Sequence, residues 1–140
     1  MEELFKQKNN IMKTLLFTVL TFSLFIQSNI AQTIYDCDKR IYCFKGASSN
    51  QFDDCDESPE TSTFVLKNNE YFEHQTPTMT STYTIYNFIE DKKSKIKIYT
   101  VISEAENSYS FVVNEKKKEL TILTYREDMV KFRINKISKK

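Results

Sequence analysis

Three cysteines supply the most reactive side chains of this 140-residue chain, and all of them lie in one short segment. If residues 35–44 form one extended strand, Cys37 and Cys43 are about 20 Å apart, at about 3.3 Å per residue. A disulfide needs Cα atoms within about 7 Å of each other. The turn-forming residues 46–50 can instead bring Cys55 back to Cys43. We therefore expect a Cys43–Cys55 disulfide and a free thiol at Cys37.

Two alternatives remain open for the cysteines. A turn over residues 38–40 would place Cys37 opposite Cys43 across a hairpin, and these two would then pair. A free Cys37 is either a buried thiol or a reactive one that bonds to another molecule. The spacings are not Cys-x-x-Cys, and the chain has a single histidine, so a zinc site is not predicted.

His74 is the residue on which acid–base chemistry at neutral pH would first depend. Glu73 is its neighbour, but adjacent residues of a strand point to opposite faces, so the two do not form a catalytic pair. The sequence also lacks the Gly-x-Ser-x-Gly and His-Glu-x-x-His motifs and any glycine-rich phosphate loop. These observations do not favour an enzyme and predict no catalytic residue and no cofactor. His74 is expected at the surface or in the wall of a cavity.

Four acidic residues cluster at Asp53, Asp54, Asp56 and Glu57. Their carboxylates could bind Ca²⁺, but they do not follow the Asp-x-Asp-x-Asp-Gly order that wraps a chain around that ion. We interpret them as a solvated acidic loop, and we predict no metal site.

The N-terminal residues 1–31 have the organisation of a secretory signal peptide. Lys13 precedes an apolar run over residues 14–26, and small and polar residues follow as far as Ala31. Cleavage is expected after Ala31, with Ser28 as the second choice. Residues 1–11 are either a long n-region of the signal peptide or an upstream start codon chosen in error, because Met12 would itself make a typical start. The prediction is a secreted or periplasmic protein.

The length of the apolar run and the charge of the chain limit the partners. A run of 13 residues is shorter than the roughly 20 that span a bilayer as a helix, so stable membrane insertion is not predicted. Of the 20 basic and 19 acidic residues, three and two respectively precede Gln32, and the rest of the chain is formally neutral. Nothing in this balance favours nucleic acid as a partner.

From Gln32 onward, two zones follow the signal peptide. Residues 32–60 contain the cysteines and the acidic cluster and read as a loop-rich lead-in, whereas residues 61–140 alternate between apolar and polar with a period of two. About seven short runs joined by short polar loops predict an antiparallel meander. Asn68-Asn69 is the clearest turn, since asparagine tolerates the positive φ of a type I′ hairpin. The fold class is therefore all-β, closing as a small barrel or a two-layer sandwich.

The alternation also assigns faces to the strands. In the run over residues 81–89, Tyr83, Ile85 and Ile89 are expected on one face and Phe88 on the other. In the run over residues 95–102, the isoleucines are expected inward and Tyr99 outward. The predicted core consists of Phe64, Leu66, Ile85, Ile96, Ile98, Phe111, Leu120, Ile122, Phe132 and Ile134.

From about residue 61 to residue 137 the chain resembles the secreted lipocalin-like β-barrel domains of bacteria. Residues 64–72, 81–85 and 119–123 carry the resemblance, which is one of pattern and identifies no functional residue. It implies a binding module whose barrel mouth or sheet face holds a small apolar or amphipathic ligand. The alternative is a protein-interaction or inhibitor domain acting on another exported protein.

Overall fold

The computed structural model describes residues 31–46, 51–124 and 128–140, and these residues form eight antiparallel strands. Each strand pairs with the next one along the chain, and the last pairs with the first, so that the sheet is a closed barrel. The strands are β1 Gln32–Lys45, β2 Phe52–Lys67, β3 Tyr71–Gln75, β4 Thr80–Asp91, β5 Ile96–Ser103, β6 Ser108–Asn114, β7 Glu119–Thr124 and β8 Met129–Lys139. The prediction of an all-β antiparallel fold is confirmed. The predicted signal peptide, except for Ala31, lies outside the described residues.

The segment expected to be a loop-rich lead-in contributes two of the strands. Residues 32–45 form β1, and residues 52–60 form the first half of β2. Asp54 and Asp56 are exposed on this strand, where they pair in register with Phe44 and Tyr42 of β1. Main-chain hydrogen bonds to β1 hold these polar residues in a strand, although neither face of this stretch is apolar. The alternation between apolar and polar residues that marks a strand is therefore weak here in the sequence.

The turn at Asn68-Asn69 has the predicted conformation. Both residues have positive φ, 52° for Asn68 and 57° for Asn69, as a type I′ turn requires. The end of β2 and the short strand β3 that it joins are in register, with Lys67 opposite Tyr71. The backbone preference of asparagine therefore fixes the β2–β3 hairpin.

Aromatic rings fill the middle of the barrel. Phe64 lies 5.0 Å from Phe132 and 6.0 Å from Phe111, and Phe111 lies 5.3 Å from Phe72, measured between ring centroids. The predicted core is confirmed at Phe64, Leu66, Phe111, Leu120, Ile122, Phe132 and Ile134, all of which are buried. Ile85 is partly buried and packs against this cluster.

The faces of β5 are the reverse of those predicted. Tyr99 and Val101 are buried in the barrel, whereas Ile102 is exposed and Ile96 and Ile98 are only partly buried. Tyr99 packs edge-on against Phe72, with 4.9 Å between the ring centroids. Three isoleucines on one face made that face look like the inner one, but a large ring suits the width of the barrel better.

A bulge explains why the predicted faces of β4 fail beyond Ile85. The register with β5 shifts between Ile85 and Asn87, so one extra residue, Tyr86, enters the strand. Phe88 then aligns with Tyr99 on the inner side, and Ile89 is exposed on the outer side. A period-two pattern cannot reveal such an insertion.

Candidate functional site

Polar side chains line the inside of the barrel at both of its ends, above and below the aromatic middle. One end, which we call the Tyr35 end, carries the turns at residues 68–70, 92–95 and 115–118. It contains Tyr35, Phe88, Lys97, Tyr99 and Glu115. The opposite end, which we call the His74 end, contains Arg40, Glu60, Ser62 and His74.

The hydroxyl of Tyr35 is the most unusual polar group of the Tyr35 end. Tyr35 is 0% exposed, and none of the described residues offers its phenolic oxygen a hydrogen-bond partner. A buried hydroxyl without a partner costs about 1–3 kcal/mol. Natural proteins satisfy most such groups, and an exception calls for a physical explanation. The group can donate one hydrogen bond and accept others.

The surroundings of this hydroxyl keep it protonated. Burial raises the pKa of Tyr35 above its usual value, and the nearby Tyr99 and Glu115 raise it further. Burial likewise raises the pKa of Tyr99, with smaller contributions from Glu115 and Glu90. Two phenols therefore face one acidic region of the barrel end, and both remain protonated, and so able to donate a hydrogen bond, at neutral pH.

An ion pair borders the two phenols. The Lys97 ammonium lies 2.8 Å from the Glu115 carboxylate, and about a fifth of each side chain is exposed. Lys97 pairs in register with the buried Val113. Residues opposite each other in a ladder share a face, so Lys97 lies on the inner face. Glu90 lies opposite Lys97 on β4, so the group of two carboxylates and one ammonium has a formal charge of −1.

Phe88 provides the apolar part of this end. Its ring lies 4.9 Å from the ring of Tyr99, and Phe88 is 46% exposed. The Tyr35 end thus combines a half-exposed aromatic ring, a buried hydroxyl without a partner and an ion pair. This combination suits the binding of a small amphipathic molecule better than it suits catalysis, because it includes no nucleophile with an adjacent base.

The His74 end holds the only histidine, which is partly buried. The His74 ring stacks on Phe64 with 4.1 Å between centroids, and its Nε2 lies 3.2 Å from Ser62 Oγ. Ser62 Oγ also lies 3.3 Å from Glu60 Oε1 and can donate to it. Arg40 Nε approaches the other Glu60 oxygen at 3.0 Å. These four residues form a polar chain across β1, β2 and β3.

This chain lacks the geometry of a nucleophilic triad. The carboxylate of Glu60 contacts Ser62 and not His74, so it does not orient the imidazole as the acid of such a triad does. Ser62 is buried and does not face solvent. Burial lowers the pKa of His74, and Glu60 opposes that shift. His74 is therefore a stacked, hydrogen-bonded residue of the barrel wall, neutral at neutral pH.

Cys37 and Cys43 lie on β1, and Cys55 lies on β2. The structure contains a disulfide between Cys43 and Cys55, the pair favoured from the sequence, which sit opposite each other in the β1–β2 ladder with Cα atoms 4.1 Å apart. Cys37 is free and buried. Burial raises the pKa of the Cys37 thiol to about 12, and the adjacent Asp36 and Asp38 add to the shift. A thiol of this kind is unreactive at neutral pH.

In the described parts of the chain, no three His, Cys, Asp or Glu side chains converge as a metal site would require. Residues 53–57 are exposed along a strand, where their side chains alternate in direction. No helix of the described ranges could cross a membrane.

Comparison with protein-family models, with curated proteins and with solved structures finds no match to this chain.

The residues of the Tyr35 end could not be selected from the sequence. The alternation predicts Tyr99 on the outer face of β5, and Tyr35 lies in the segment expected to be a loop-rich lead-in. Only the barrel closure and the bulge in β4 bring them together. The one available signal was Lys97 itself, a charged residue between isoleucines whose partner, Glu115, is supplied by a distant turn.

Proposed function

We propose that this chain is an exported binding module that holds a small, neutral or cationic amphipathic ligand at the Tyr35 end of the barrel. The observation that carries the proposal is the completely buried Tyr35 hydroxyl, which has no partner. A ligand with a carbonyl, ether or hydroxyl oxygen would accept its hydrogen bond once the half-exposed Phe88 ring, which packs on Tyr99 at this end, moves aside. Binding would then supply the hydrogen bond that the Tyr35 hydroxyl lacks, and this contributes favourable free energy to the complex.

Charge narrows the class of ligand. Glu115 raises the pKa of both phenols and Glu90 raises that of Tyr99, so carboxylates dominate the charge beside the Tyr35 hydroxyl and disfavour an anionic headgroup there. The lysines of the turns at 92–95 and 115–118 are exposed, where solvent and salt screen their charge. The half-exposed Phe88 offers an aromatic surface to the apolar part of the ligand. These features favour a molecule with one apolar body and one uncharged or positive polar group.

The filled middle of the barrel restricts where the ligand can lie. Phe64, Phe72 and Phe111 are 0% exposed, and Phe111 packs against both of the others, so we place the ligand at the barrel end and not along the axis. The resemblance of residues 61–137 to secreted lipocalin-like domains supports a binding role. The Cys43–Cys55 disulfide is consistent with an oxidising compartment, as an exported protein would meet.

A fluorescence titration with Nile red, a neutral aromatic dye with a carbonyl acceptor, tests the proposal. The wild-type protein should bind the dye, and Tyr35→Phe should weaken binding roughly fivefold, the equivalent of a net hydrogen bond worth about 1 kcal/mol. An anionic naphthalenesulfonate dye should bind more weakly than Nile red.

Tyr109→Phe is the matched control, because Tyr109 is a partly buried tyrosine that packs against Tyr83 at the other end of the barrel. It should leave the affinity for Nile red unchanged. Equal losses in the two variants, or no saturable binding by the wild type, would reject the ligand site. The protein-interaction role would then be the better reading.

A further inference from the structure

Strand β4 is much longer than its neighbour β3 and leaves part of the sheet without a partner. The ladder between the two strands ends where Thr84 pairs with Tyr71, and the Ile85 N–H donates to the Glu70 carbonyl just beyond it. From Tyr86 to Asp91, β4 pairs with β5 alone among the described residues. This stretch is an open sheet edge. The described residues contain a second open edge at residues 52–62 of β2, which pair with β1 alone, but Pro59 and the acidic side chains of residues 53–57 disfavour strand pairing there.

Main-chain groups of two residues point outward at this edge. The Phe88 N–H donates to the side-chain oxygen of Asn87 at 2.9 Å, not to a neighbouring strand. Hydrogen-bonding directions alternate along an antiparallel strand, so the main-chain groups of Glu90 point the same way as those of Phe88. Both residues therefore direct an N–H and a C=O toward an incoming strand, and the Asn87 side chain has to release the Phe88 N–H before that strand can pair with it.

Each face of the edge carries a large apolar side chain among polar ones. Phe88 lies on the inner face, and Ile89, which is 59% exposed, lies on the outer face. Across the sheet Ile89 pairs with Ile98, which in turn pairs with Val112. These three residues form an apolar stripe that ends at the open edge. An open edge with apolar side chains is a template for pairing with another strand.

We propose that the occupant of this edge is a second copy of the chain, paired β4 to β4 in antiparallel orientation about a two-fold axis at Ile89. In this register Phe88 of each copy lies opposite Glu90 of the other. The two outward-pointing residues of each copy then form two hydrogen-bonded pairs, with four main-chain hydrogen bonds in total. Ile89 lies opposite its own counterpart, and the apolar stripes of the two copies join.

The charges of the edge agree with this symmetric register. Phe88 faces Glu90 and Asn87 faces Asp91, so no like charges lie directly opposite each other, an arrangement that would be destabilising. Farther along the strand, the basic tip at Lys92 and Lys93 of one copy reaches the turn that contains Glu70 in the other. Self-complementarity of this kind is what a two-fold interface requires, and it distinguishes a second copy from an unrelated strand.

Sedimentation velocity of the full chain over a concentration series tests the proposal. The wild-type protein should form a dimer whose fraction rises with concentration. Ile89→Lys should raise the dissociation constant of the dimer roughly tenfold or more, because two ammonium groups would meet at the axis. Met79→Lys is the matched control, since Met79 is equally exposed at 61% but lies in the β3–β4 turn. It should leave the dimer unchanged.

A charge-pairing experiment tests the register itself. Ile89→Glu alone should also be monomeric, whereas an equimolar mixture with Ile89→Lys should dimerise again, because opposite charges would then meet at the axis. Circular dichroism of each variant verifies the fold. A wild type that stays monomeric throughout, an undisturbed dimer in Ile89→Lys, or a mixture that does not associate would each overturn the proposal. None of these outcomes depends on the Tyr35 hydroxyl, so the dimer and the ligand site are tested separately.

Discussion

The ring of Phe88 lies against the ring of Tyr99, with 4.9 Å between centroids and the planes tilted by 30°. The two residues are opposite each other in the β4–β5 ladder. Phe88 is half-exposed and Tyr99 is buried, so the Phe88 ring shields the Tyr99 phenol from water at the end of the barrel.

Removal of the Phe88 ring should therefore alter the ionisation of Tyr99. Burial is the main cause of the raised pKa of Tyr99, and Phe88→Ala should lower that pKa by admitting water. NMR of ¹³C-labelled tyrosine, with Tyr99→Phe for assignment, measures the effect. Phe44→Ala removes a similarly exposed ring that packs on Tyr42, and it should not change the pKa of Tyr99. An unchanged value in Phe88→Ala would show that the ring does not exclude water.

Tyr35→Phe should stabilise the protein when no ligand is added. The substitution removes a buried hydroxyl that has no partner and keeps the ring, so the free energy of unfolding should rise, by up to about 1–3 kcal/mol. Urea unfolding followed by circular dichroism measures the change. Tyr42→Phe is the contrasting variant, because the Tyr42 hydroxyl donates to Asp128 at 3.1 Å, and it should be neutral or destabilising. A loss of stability in Tyr35→Phe would mean that the hydroxyl has a partner after all.

The inner face of β5 can be tested with two adjacent substitutions. Val101→Asp would bury a carboxylate in the core, whereas Ile102→Asp would place one at an exposed position. The first should cost several kcal/mol of stability or prevent folding, and the second roughly 0.5 kcal/mol or less. Thermal unfolding measures both. A greater loss of stability in Ile102→Asp would instead support the prediction from the sequence, in which Ile102 faces the core.

The cysteines should differ in their reactivity. In the folded, oxidised protein, Cys37 should resist alkylation by iodoacetamide because it is buried and its pKa is raised to about 12. It should react once the protein is unfolded in denaturant. Peptide mapping without reduction should recover a Cys43–Cys55 crosslink, whose loss in a Cys43→Ala/Cys55→Ala variant should cost roughly 3 kcal/mol. A Cys37–Cys43 crosslink would contradict both the pairing and the single-strand geometry of β1.

His74 should make stability depend on pH in the mildly acidic range. Its pKa in the folded state is lowered from the usual 6.5 by burial. Below about pH 6.5 the unfolded chain therefore binds the proton more readily than the folded one, and stability should fall as the pH drops from 7.5 to 5.5. His74→Phe keeps a ring on Phe64 and should flatten this dependence. Equal slopes in the two proteins would mean that the burial of His74 does not perturb its pKa.

The fold class followed from the sequence because alternation with a period of two survives in most strands. It is clear where one face is apolar, as at Leu120 and Ile122 of β7, and these were correctly assigned to the core. It fails in the first half of β2, where acidic residues are exposed on both faces. The ladder with β1 holds that segment in place, and a ladder is a long-range feature that one strand does not encode.

The candidate site was far less predictable than the fold. Its position depends on the bulge at Tyr86, which turns Phe88 inward, and on the width of a closed barrel, which places Tyr35 near Glu115. Neither feature leaves a local pattern in the sequence. For His74 the prediction of a strand position in the β-domain was correct. Its stacking on Phe64 arises from pairing across strands and did not follow from the sequence.

The pairing of β8 with β1 has a consequence for the order of folding. Gln32 and Lys140 exchange two main-chain hydrogen bonds, although they lie at opposite ends of the described chain. During synthesis β1 can find β2 at once, but the ring cannot close until the last strand has left the ribosome. Contacts so distant in sequence form slowly, so closure should be the late, rate-limiting step of folding. A chain that lacks β8 should remain soluble only with the help of a chaperone.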